Sequence, residues 1–288
     1  MFIKNITILI VSYKSDPQLL KCLDNLSKFR KILILDNSND IILKKKVKKK
    51  YPNIKFYISK KNLGYGVANN LLLKKVKSKY AIMLNPDSRI STKNVYKMIS
   101  LAKKLNNKFL LITPSNKSYK LKDFFFEKKF LNDENLKNKK FFEIDTTHFY
   151  APLINMSLQR KKKIFFDKNY FLYYEDMDFC KKIKNKNEKI YLMQNIQAQH
   201  FFGKSSNIFN YNVIRNFHWG WSTVYYYRKH YDFLNCYKNI TLIFLKSFLS
   251  LFINKIILDE ENSKNSISRI KGMIDSFSNY SDYERNQY

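Results

Sequence analysis

A run of three carboxylates offers the clearest chemistry in this sequence. Glu175, Asp176 and Asp178 open a predicted helix directly after the apolar and aromatic run 170–174. Crowded carboxylates repel one another, so a folded domain tolerates them beside cations, a metal or a helix N-terminus. A carboxylate beside a partly apolar pocket suits a general base. Helix capping in water is the alternative interpretation.

Another carboxylate, Asp87, follows the predicted strand 80–85 and is held in a turn behind Pro86. Carboxylates suit Mg²⁺ and Mn²⁺, and a single aspartate serves when diphosphate oxygens and another side chain complete the shell. An Asx turn is the structural alternative. His200 is one of only four histidines and follows a further predicted strand, where a core or surface histidine is the ordinary interpretation.

Polar residues and glycines follow the predicted strands nearer the N-terminus. Asp36 ends an apolar strand, where its carboxylate can accept a hydrogen bond from a nucleotide base or cap the next helix. Gly64 and Gly66 are two of only five glycines and let the backbone approach a phosphate or a base near a helix start. The third glycine of a dinucleotide-binding GxGxxG motif is missing.

These residues can act together only if strands and helices bring them to one edge of a sheet. Short apolar runs alternate with helical patterns, which predicts strands at 6–11, 31–36, 54–59 and 80–85. Repeated β-α-β units form a mostly parallel sheet that binds ligands beyond the carboxyl ends of its strands. The later chain adds predicted strands at 109–114, 146–158 and 189–194, helices at 92–105 and 175–185, and a variable loop at 116–140.

A helical, aromatic region begins at residue 211, so we expect one domain over 1–210 and a helical C-terminal region over 211–288. Within it, residues 240–258 are mostly aliphatic or Phe, with one narrow polar stripe at four-residue spacing. A lysine in mid-span favours a helix that lies in a membrane interface or docks on the domain over one that spans a bilayer.

The composition sets limits on the partners. Among 288 residues, 54 Lys+Arg face 23 Asp+Glu, a net charge of +31 that attracts nucleic acid, an anionic leaflet or diphosphates alike. Nearly all the cations are lysines spread along the chain, so we expect no specific nucleic acid. Three isolated cysteines, and an N-terminal apolar run too short for a secretory signal, favour the cytoplasm.

Five blocks, taken in order, resemble the family 2 glycosyltransferases, inverting enzymes of the GT-A fold, and especially their rhamnosyltransferase-like branch that builds bacterial surface polysaccharides. The resemblance covers residues 6–231. It implies an α/β, Rossmann-like fold with a mostly parallel central sheet flanked by helices, and a helical C-terminal extension. The blocks are Val11-Ser12-Tyr13, Asp36-Asn37-Ser38, the stretch 62–69, Asn85-Pro86-Asp87, and 175–178 with His200 downstream.

The resemblance implies roles for individual positions. Asp87 matches the last acid of the family's DxD motif and would bind Mg²⁺ or Mn²⁺, with His200 as second ligand, although Asn85 replaces the first acid. Asp176 matches the catalytic base. Glu175 and Asp178 would orient that base or the acceptor. The implied nucleotide-binding residues are Ser12, Tyr13 and Asp36 around the base, with Asn62, Gly64 and Asn69.

The implied reaction moves a sugar, with rhamnose a candidate, from a dTDP- or UDP-linked donor to a hydroxyl of a growing surface glycan or lipid-linked oligosaccharide. One in-line displacement inverts the anomeric centre, so no covalent nucleophile is needed. The net charge and the 240–258 helix favour a peripheral position on the inner face of the membrane.

Three other functions compete with this interpretation. A nucleotidyltransferase would need a Gly-rich, basic phosphate loop after the first strand, and residues 11–14 do not supply one. A catalytically inactive relative stays open because Asn85 breaks the DxD motif. A basic protein that binds polyanions would show steep salt dependence and would tolerate the loss of Asp87 or Asp176.

Overall fold

The computed structural model describes residues 5–126, 136, 138–201 and 211–278. The chain divides into two compact units, Met1–Asp167 with Asp176–Asn207 and Lys168–Glu175 with Ile208–Tyr288. The segment Lys168–Glu175 therefore groups with the C-terminal helices. The expected domain boundary at 210/211 lies at the edge of a stretch, 202–210, outside the described residues.

The first unit is built on an eight-stranded sheet and a small two-stranded ribbon. The sheet strands are β1 (Ile6–Ser12), β2 (Ile32–Asp36), β3 (Lys55–Ile58), β4 (Tyr80–Met83), β6 (Leu111–Ser115), β7 (Phe141–Ile144), β8 (Leu153–Asn155) and β9 (Ile190–Gln197). The ribbon strands are β5 (Ser88–Arg89) and β10 (Gln199–His200).

The strand order in the sheet is β3-β2-β1-β4-β8-β6-β9-β7. Strands β1 to β4 are mutually parallel, β6 is parallel to β9, and β8 and β7 run antiparallel to their neighbours. The expectation of a mostly parallel sheet is thus confirmed. The register sets Ser12 opposite Asp36, so the loops after β1 and β2 leave the sheet side by side.

Helices cover both faces of the sheet, because strand side chains alternate between the faces and are apolar on each. On β1, Ile8 and Ile10 belong to one core cluster, whereas Leu9 belongs to the other. The helices of this unit are α1 (Asp16–Asp24), α2 (Ile41–Lys50), α3 (Gly64–Leu73), α4 (Thr92–Lys104), α5 (Met156–Lys162) and α6 (Glu175–Asn185), with a 3₁₀ turn at Leu121–Phe124.

One predicted strand, 146–158, is wrong over most of its length. Strand β8 occupies only Leu153–Asn155, and helix α5 follows at once. Asn155 starts this helix, because its side-chain oxygen accepts the backbone N–H of Leu158 at 3.3 Å. Within the expected loop 116–140, the described part contains the 3₁₀ turn, while 127–135 and 137 lie outside the described residues.

The second unit contains helices α7 (Tyr211–His230), α8 (Phe233–Ile256) and α9 (Glu260–Asp275). Helices α7 and α9 approach closely at two glycines. A Cβ atom on Gly220 would lie 2.2 Å from the carbonyl oxygen of Arg269, and one on Gly272 would lie 2.0 Å from that of Phe217. No larger residue fits either position without separating the helices.

Helix α8 begins earlier than the predicted 240–258 helix and has two contrasting sides. Near its start, Cys236 and Ile240 pack in a small apolar cluster with α7 and α9. Farther along, Ser247 is buried, and the side chains of Ser250 and Asn254 lie 3.3 and 3.4 Å from the hydroxyl of Ser266 on α9. Among the described residues, α8 is the one helix long and apolar enough to cross a membrane.

The other side of α8 is exposed and apolar. We call it the outer face of α8, made up of Leu242, Leu245, Phe248, Leu249, Phe252, Ile253 and Ile256. The helix thus turns polar residues toward α9 and large apolar residues outward.

Candidate functional site

The turn after β4 brings Asp87 to His200. In this turn the N–H of Ser88 donates to the carbonyl of Asn85 at 2.9 Å. The ribbon then pairs Ser88 with His200, and the N–H of Phe201 donates to the carbonyl of Asp87 at 3.0 Å. As a result, Nε2 of His200 lies 3.3 Å from Oδ1 of Asp87.

This pair has the chemistry of a divalent metal site. Asp87 is buried, and among the described residues its Oδ1 atom accepts no hydrogen bond of good geometry. Metal ligands at about 2.0–2.2 Å lie about 3 Å from their neighbours in the shell, close to the observed separation. Within the described part of the chain, no group of three such ligands occurs. A pair leaves room for diphosphate oxygens, which Mg²⁺ commonly takes from a substrate.

Asp176 lies in the first turn of α6 and faces a second histidine. Its Oδ1 atom accepts the backbone N–H of Met177 at 2.8 Å. Its Oδ2 atom lies 3.5 Å from Nδ1 of His148, and the two side chains are 23% and 38% exposed. The carboxylate is therefore held by the chain and remains open to a substrate hydroxyl.

The other two acids of the cluster lie elsewhere on α6. Asp178 is fully buried, 2.9 Å from Nζ of Lys182. Residues two apart on a helix do not share a face, so Asp178 does not lie beside Asp176. Glu175 is buried at the first position of the helix.

Asp36 is fully buried and joins the loops after β1 and β2. Its carboxylate accepts the hydroxyl of Ser12 at 2.9 Å, and it also accepts the backbone N–H groups of Ser38 at 3.1 Å and Asp40 at 2.9 Å. The hydroxyl of Ser38 donates to it as well, at 2.8 Å. Because these donors occupy both oxygens, Asp36 acts in this structure by fixing the loop.

A second set of bonds ties that loop to the start of α3. The side-chain amide of Asn37 donates to the carbonyl of Gly64 at 3.2 Å, and the N–H of Gly64 donates to Oδ1 of Asn62 at 3.1 Å. Gly64 has a φ of +73°, in the left-handed region that favours glycine. Asn69 is buried and donates to the carbonyl of Tyr65 at 3.0 Å.

Gly66 has a packing reason to be glycine. A Cβ atom there would lie 2.9 Å from the Cβ of Phe166. The two glycines noted in the sequence thus serve different ends, since Gly64 adopts a left-handed turn and Gly66 allows close contact with the core.

Tyr13 is half-exposed and directly precedes Lys14, one of the residues that line a surface depression. Lys14 lies with its Nζ 5.6 Å from the centre of the Tyr13 ring. The residues lining the depression are Lys14, Ser38, Asn39, Asp40, Ile41 and Ile42. The six predicted nucleotide-binding residues lie at the last positions of β1 and β2, in the loops after β1 and β3, and in the first two turns of α3.

Four stacked rings, which we call the ring row, connect the two acidic sites. His148 stacks on Tyr119 with ring centres 4.0 Å apart, Tyr119 on Tyr150 at 5.6 Å, and Tyr150 on His200 at 5.7 Å. The interplanar angles are 14°, 24° and 15°, so the rings are nearly parallel. Burial, followed by the charge of Asp176, raises the pKa of Tyr119, which therefore stays neutral.

His148, Tyr119 and Tyr150 were not predicted as site residues from the sequence. Each is an ordinary aromatic residue in an irregular segment, and only the ribbon and the loop before β8 place them in one row. The scarcity of histidine, four in 288 residues, was the single available signal.

A family model and a curated relative both match this chain, and both are glycosyltransferases. The family model described as "Glycosyl transferase family 2" matches residues 7–164. The chain is 23% identical over 215 residues to the "Low-salt glycan biosynthesis hexosyltransferase Agl10" of Haloferax volcanii, covering 68% of this chain and 67% of that protein.

Solved structures show the same fold at low identity. The mannosyltransferase PcManGT from Pyrobaculum calidifontis, in complex with GDP-Man and Mn²⁺, matches 96% of this chain and 88% of its own with a TM-score of 0.57 and 10% identity. GalNAc-T7 with UDP, GalNAc and Mn²⁺ matches 68% of this chain with a TM-score of 0.54 and 12% identity. This chain spans 43% of the length of GalNAc-T7.

Proposed function

Because the chain belongs to glycosyl transferase family 2, and is thus a glycosyltransferase of the GT-A fold, we propose that it transfers a hexose from a nucleotide diphosphate sugar to a hydroxyl of a growing glycan, with inversion. One observation carries the proposal. A buried Asp87 paired with His200 and a partly exposed Asp176 lie at the two ends of the ring row. This arrangement offers one group for a diphosphate and one for an acceptor hydroxyl.

In this proposal Asp87 and His200 hold Mg²⁺ or Mn²⁺. A bound ion would offset the charge that develops on the departing diphosphate. The buried Oδ1 atom of Asp87 and its separation of 3.3 Å from Nε2 of His200 support the assignment. Asn85, in place of the first acid of a DxD motif, leaves the site with one carboxylate, which suffices when substrate oxygens complete the shell.

Asp176 removes the proton from the acceptor hydroxyl as its oxygen attacks the anomeric carbon. The proton passes to the carboxylate and the bond to the diphosphate breaks in the same displacement, so the anomeric configuration inverts. Partial exposure of Asp176 lets an acceptor reach it. Glu175 opens the same helix, and Asp178 anchors its first turn through Lys182, so both act by orienting the base.

The nucleotide lies against the loops after β1, β2 and β3. Ser12, Tyr13 and Asp36 shape the base region, and Asp36 does so by holding the 37–40 loop. The remaining pocket residues are Asn62, Gly64 and Asn69. A dTDP- or UDP-linked donor, with rhamnose a candidate sugar, follows from the resemblance to the rhamnosyltransferase-like branch.

The outer face of α8 binds an anionic lipid leaflet, and the acceptor is a lipid-linked oligosaccharide or surface glycan built on the cytoplasmic side. Two observations support this part of the proposal. The helix presents large apolar side chains outward while polar ones meet α9, and the chain carries a net charge of +31. Apolar area and cationic charge together strengthen binding to an anionic surface. No specific nucleic acid is proposed.

The donor assignment is tested by thermal unfolding with UDP, dTDP, GDP and CDP, each with and without Mn²⁺. A ligand at about 100 times its Kd adds roughly 2.7 kcal/mol to the free energy of unfolding. We expect a Mn²⁺-dependent rise in Tm with UDP or dTDP that Asp87→Ala abolishes. Asp24→Ala, which removes an exposed ion pair with Lys50, should keep the rise.

Other outcomes of this experiment are equally informative. A rise with GDP alone would overturn the donor assignment and leave the metal site intact. No rise with any nucleotide would overturn the proposed transfer and favour an inactive relative.

Binding to lipid is tested by sedimentation with vesicles of phosphatidylglycerol and, separately, of phosphatidylcholine. We expect binding to the anionic vesicles at low salt and a loss of binding as salt rises, since exposed charges are screened. Failure to bind phosphatidylglycerol vesicles at low salt would overturn the membrane part of the proposal alone.

A further inference from the structure

His148 is the side chain nearest to Asp176 that has no role in the proposal above. Its Nδ1 atom lies 3.5 Å from Oδ2 of Asp176, while Oδ1 is already bonded to the N–H of Met177. Hydrogen bonds at catalytic groups are often long without substrate and shorten in the reacting complex. The two oxygens of Asp176 thus face two different donors, one from the backbone and one from a ring.

We propose that His148 is a positioning residue for Asp176: the ring of His148 donates Nδ1–H to Oδ2 and so fixes the direction in which the carboxylate meets the acceptor hydroxyl. This inference rests on the proposed function, in which Asp176 is the base. His148 takes no proton in the reaction, because the acceptor proton passes to Asp176. The choice of tautomer follows from the carboxylate, which can only accept from the ring while it is ionised.

The ring row explains how His148 itself is held. The imidazole lies flat on Tyr119, with ring centres 4.0 Å apart and planes 14° apart. Tyr119 in turn lies on Tyr150, which is fully buried and whose hydroxyl donates to the carbonyl of Pro114. Stacking fixes the plane of the ring, and of the two flips in that plane the one with Nδ1 toward Asp176 offers an N–H to Oδ2.

The same row also fixes the spacing of the two ends of the site. Tyr150 also stacks on His200, with ring centres 5.7 Å apart. The orientation of the base and the position of the second metal ligand therefore depend on one rigid stack. Catalytic groups lose much of their effect when they move by about 1 Å, which gives such a stack a clear use.

Two variants of His148 separate hydrogen bonding from packing. His148→Phe keeps a ring on Tyr119 but lacks the N–H, whereas His148→Asn lacks the ring but places an amide N–H close to the position of Nδ1. We expect His148→Phe to lower kcat by about 10- to 100-fold, the value of a hydrogen bond to a charged group. We expect His148→Asn to lose less kcat than His148→Phe, because it keeps an N–H for Oδ2, and to fall short of the wild type, because it lacks the stack on Tyr119.

The measurement is steady-state sugar transfer with the full chain, together with the Mn²⁺-dependent Tm shift by the nucleotide. KM for the donor and the Tm shift should not change in either variant, because the side-chain contacts of His148 within the described part of the chain are with Asp176 and Tyr119. His230→Phe, a matched change in the C-terminal unit, should retain wild-type kcat.

Two results would overturn the inference alone. One is a wild-type kcat for His148→Phe. The other is a greater loss in His148→Asn than in His148→Phe together with a lower Tm, since that order indicates packing alone. Absence of transfer by the wild-type chain from every donor would instead overturn the proposed function, and this inference with it.

Discussion

The sheet unit and the second half of α8, in the helical unit, place apolar residues in opposite ways. In the sheet unit, strand and helix side chains that face inward are aliphatic or aromatic, and they form two large buried clusters. In the helical unit, the second half of α8 turns Ser247, Ser250 and Asn254 inward. Its outward side chains include Phe248, Leu249 and Phe252, which are 56%, 58% and 60% exposed.

Folding in water favours the inward apolar side chains of the sheet unit, but it does not account for the outward apolar side chains of α8. Burial of apolar surface stabilises a fold in water by about 25 cal/mol per Å², so a helix with a free choice turns its apolar side inward. A contiguous exposed apolar face marks a place where another apolar phase or partner meets the protein. In the function proposed above, the sheet unit carries the chemistry and the outer face of α8 meets a lipid surface. Two predictions test this division of roles, and two further predictions test the packing and a helix cap of the helical unit.

Asp176→Asn gives the largest expected effect. An amide cannot take the acceptor proton, so we expect kcat to fall by about 10²- to 10⁴-fold. Vesicle binding should not change, because α8 is untouched. Rates from steady-state transfer and binding from sedimentation check both halves. A loss of vesicle binding in Asp176→Asn would break the division of roles, and so would full activity.

The reverse experiment changes the outer face of α8. In a triple variant, Phe248→Ser, Leu249→Ser and Phe252→Ser, we expect binding to anionic vesicles to fall at least about 100-fold. Each of these side chains contributes about 1.5–3 kcal/mol when it enters an apolar phase. Transfer to a soluble acceptor should keep its wild-type kcat, and Tm should not fall, since the three side chains are already exposed in the free protein.

The control for the triple variant lies in the sheet unit. Leu71→Ser with Tyr96→Ser also removes exposed apolar side chains, and it should leave vesicle binding unchanged. Vesicle binding by the triple variant at the wild-type level would show that lysine charge alone attracts the membrane. It would contradict the role given to the outer face.

Much of the sheet could be predicted from the sequence, because local patterns fix it. The runs that form β1 to β4 are short, apolar and separated by helical patterns, and the observed strands fall within the predicted ones, apart from the last residue of β1. The error at 146–158 arose because Met156 and Leu158 continue an apolar pattern. The side chain of Asn155 nevertheless caps a helix there. The surrounding fold therefore decided between the periodicity of a strand and that of a helix.

The candidate site was predictable only where one residue type signals a role by itself. Carboxylates at the ends of strands identify Asp36 and Asp87 as candidates, and a cluster of carboxylates at the start of a helix identifies Asp176. The contact between Asp87 and His200 depends on a ribbon of two-residue strands, too short for any periodic signal. Loop donors occupy both carboxylate oxygens of Asp36, and four rings stack in the ring row. Both features depend on three-dimensional packing, and no spacing along the chain predicts them.

Gly272→Ala tests whether the helical unit owes its packing to close backbone contact. The new methyl group would lie 2.0 Å from the carbonyl oxygen of Phe217, so α7 and α9 must separate. We expect a loss of about 1–3 kcal/mol in the free energy of unfolding, the usual cost of overpacking. Hydrogen exchange should rise in α7 and α9 and not in the sheet. Lys264→Ala, at an exposed position of α9, is the control.

Asp259→Asn has the smallest expected effect and tests the pH dependence of the cap at the start of α9. Asp259 caps α9, and its bonds to the backbone and side chain of Asn262 hold the pKa of its carboxyl below the ordinary value. The stabilisation by this cap is therefore complete above the ordinary pKa of an aspartate, about pH 4, and is lost as the pH falls through the lower pKa that Asp259 has in the folded protein.

Asparagine also caps helices but does not titrate there. We expect hydrogen exchange in α9 of the wild type to accelerate relative to Asp259→Asn as the pH drops below about 4. Equal acceleration in both proteins would show that other acids control the helical unit at low pH.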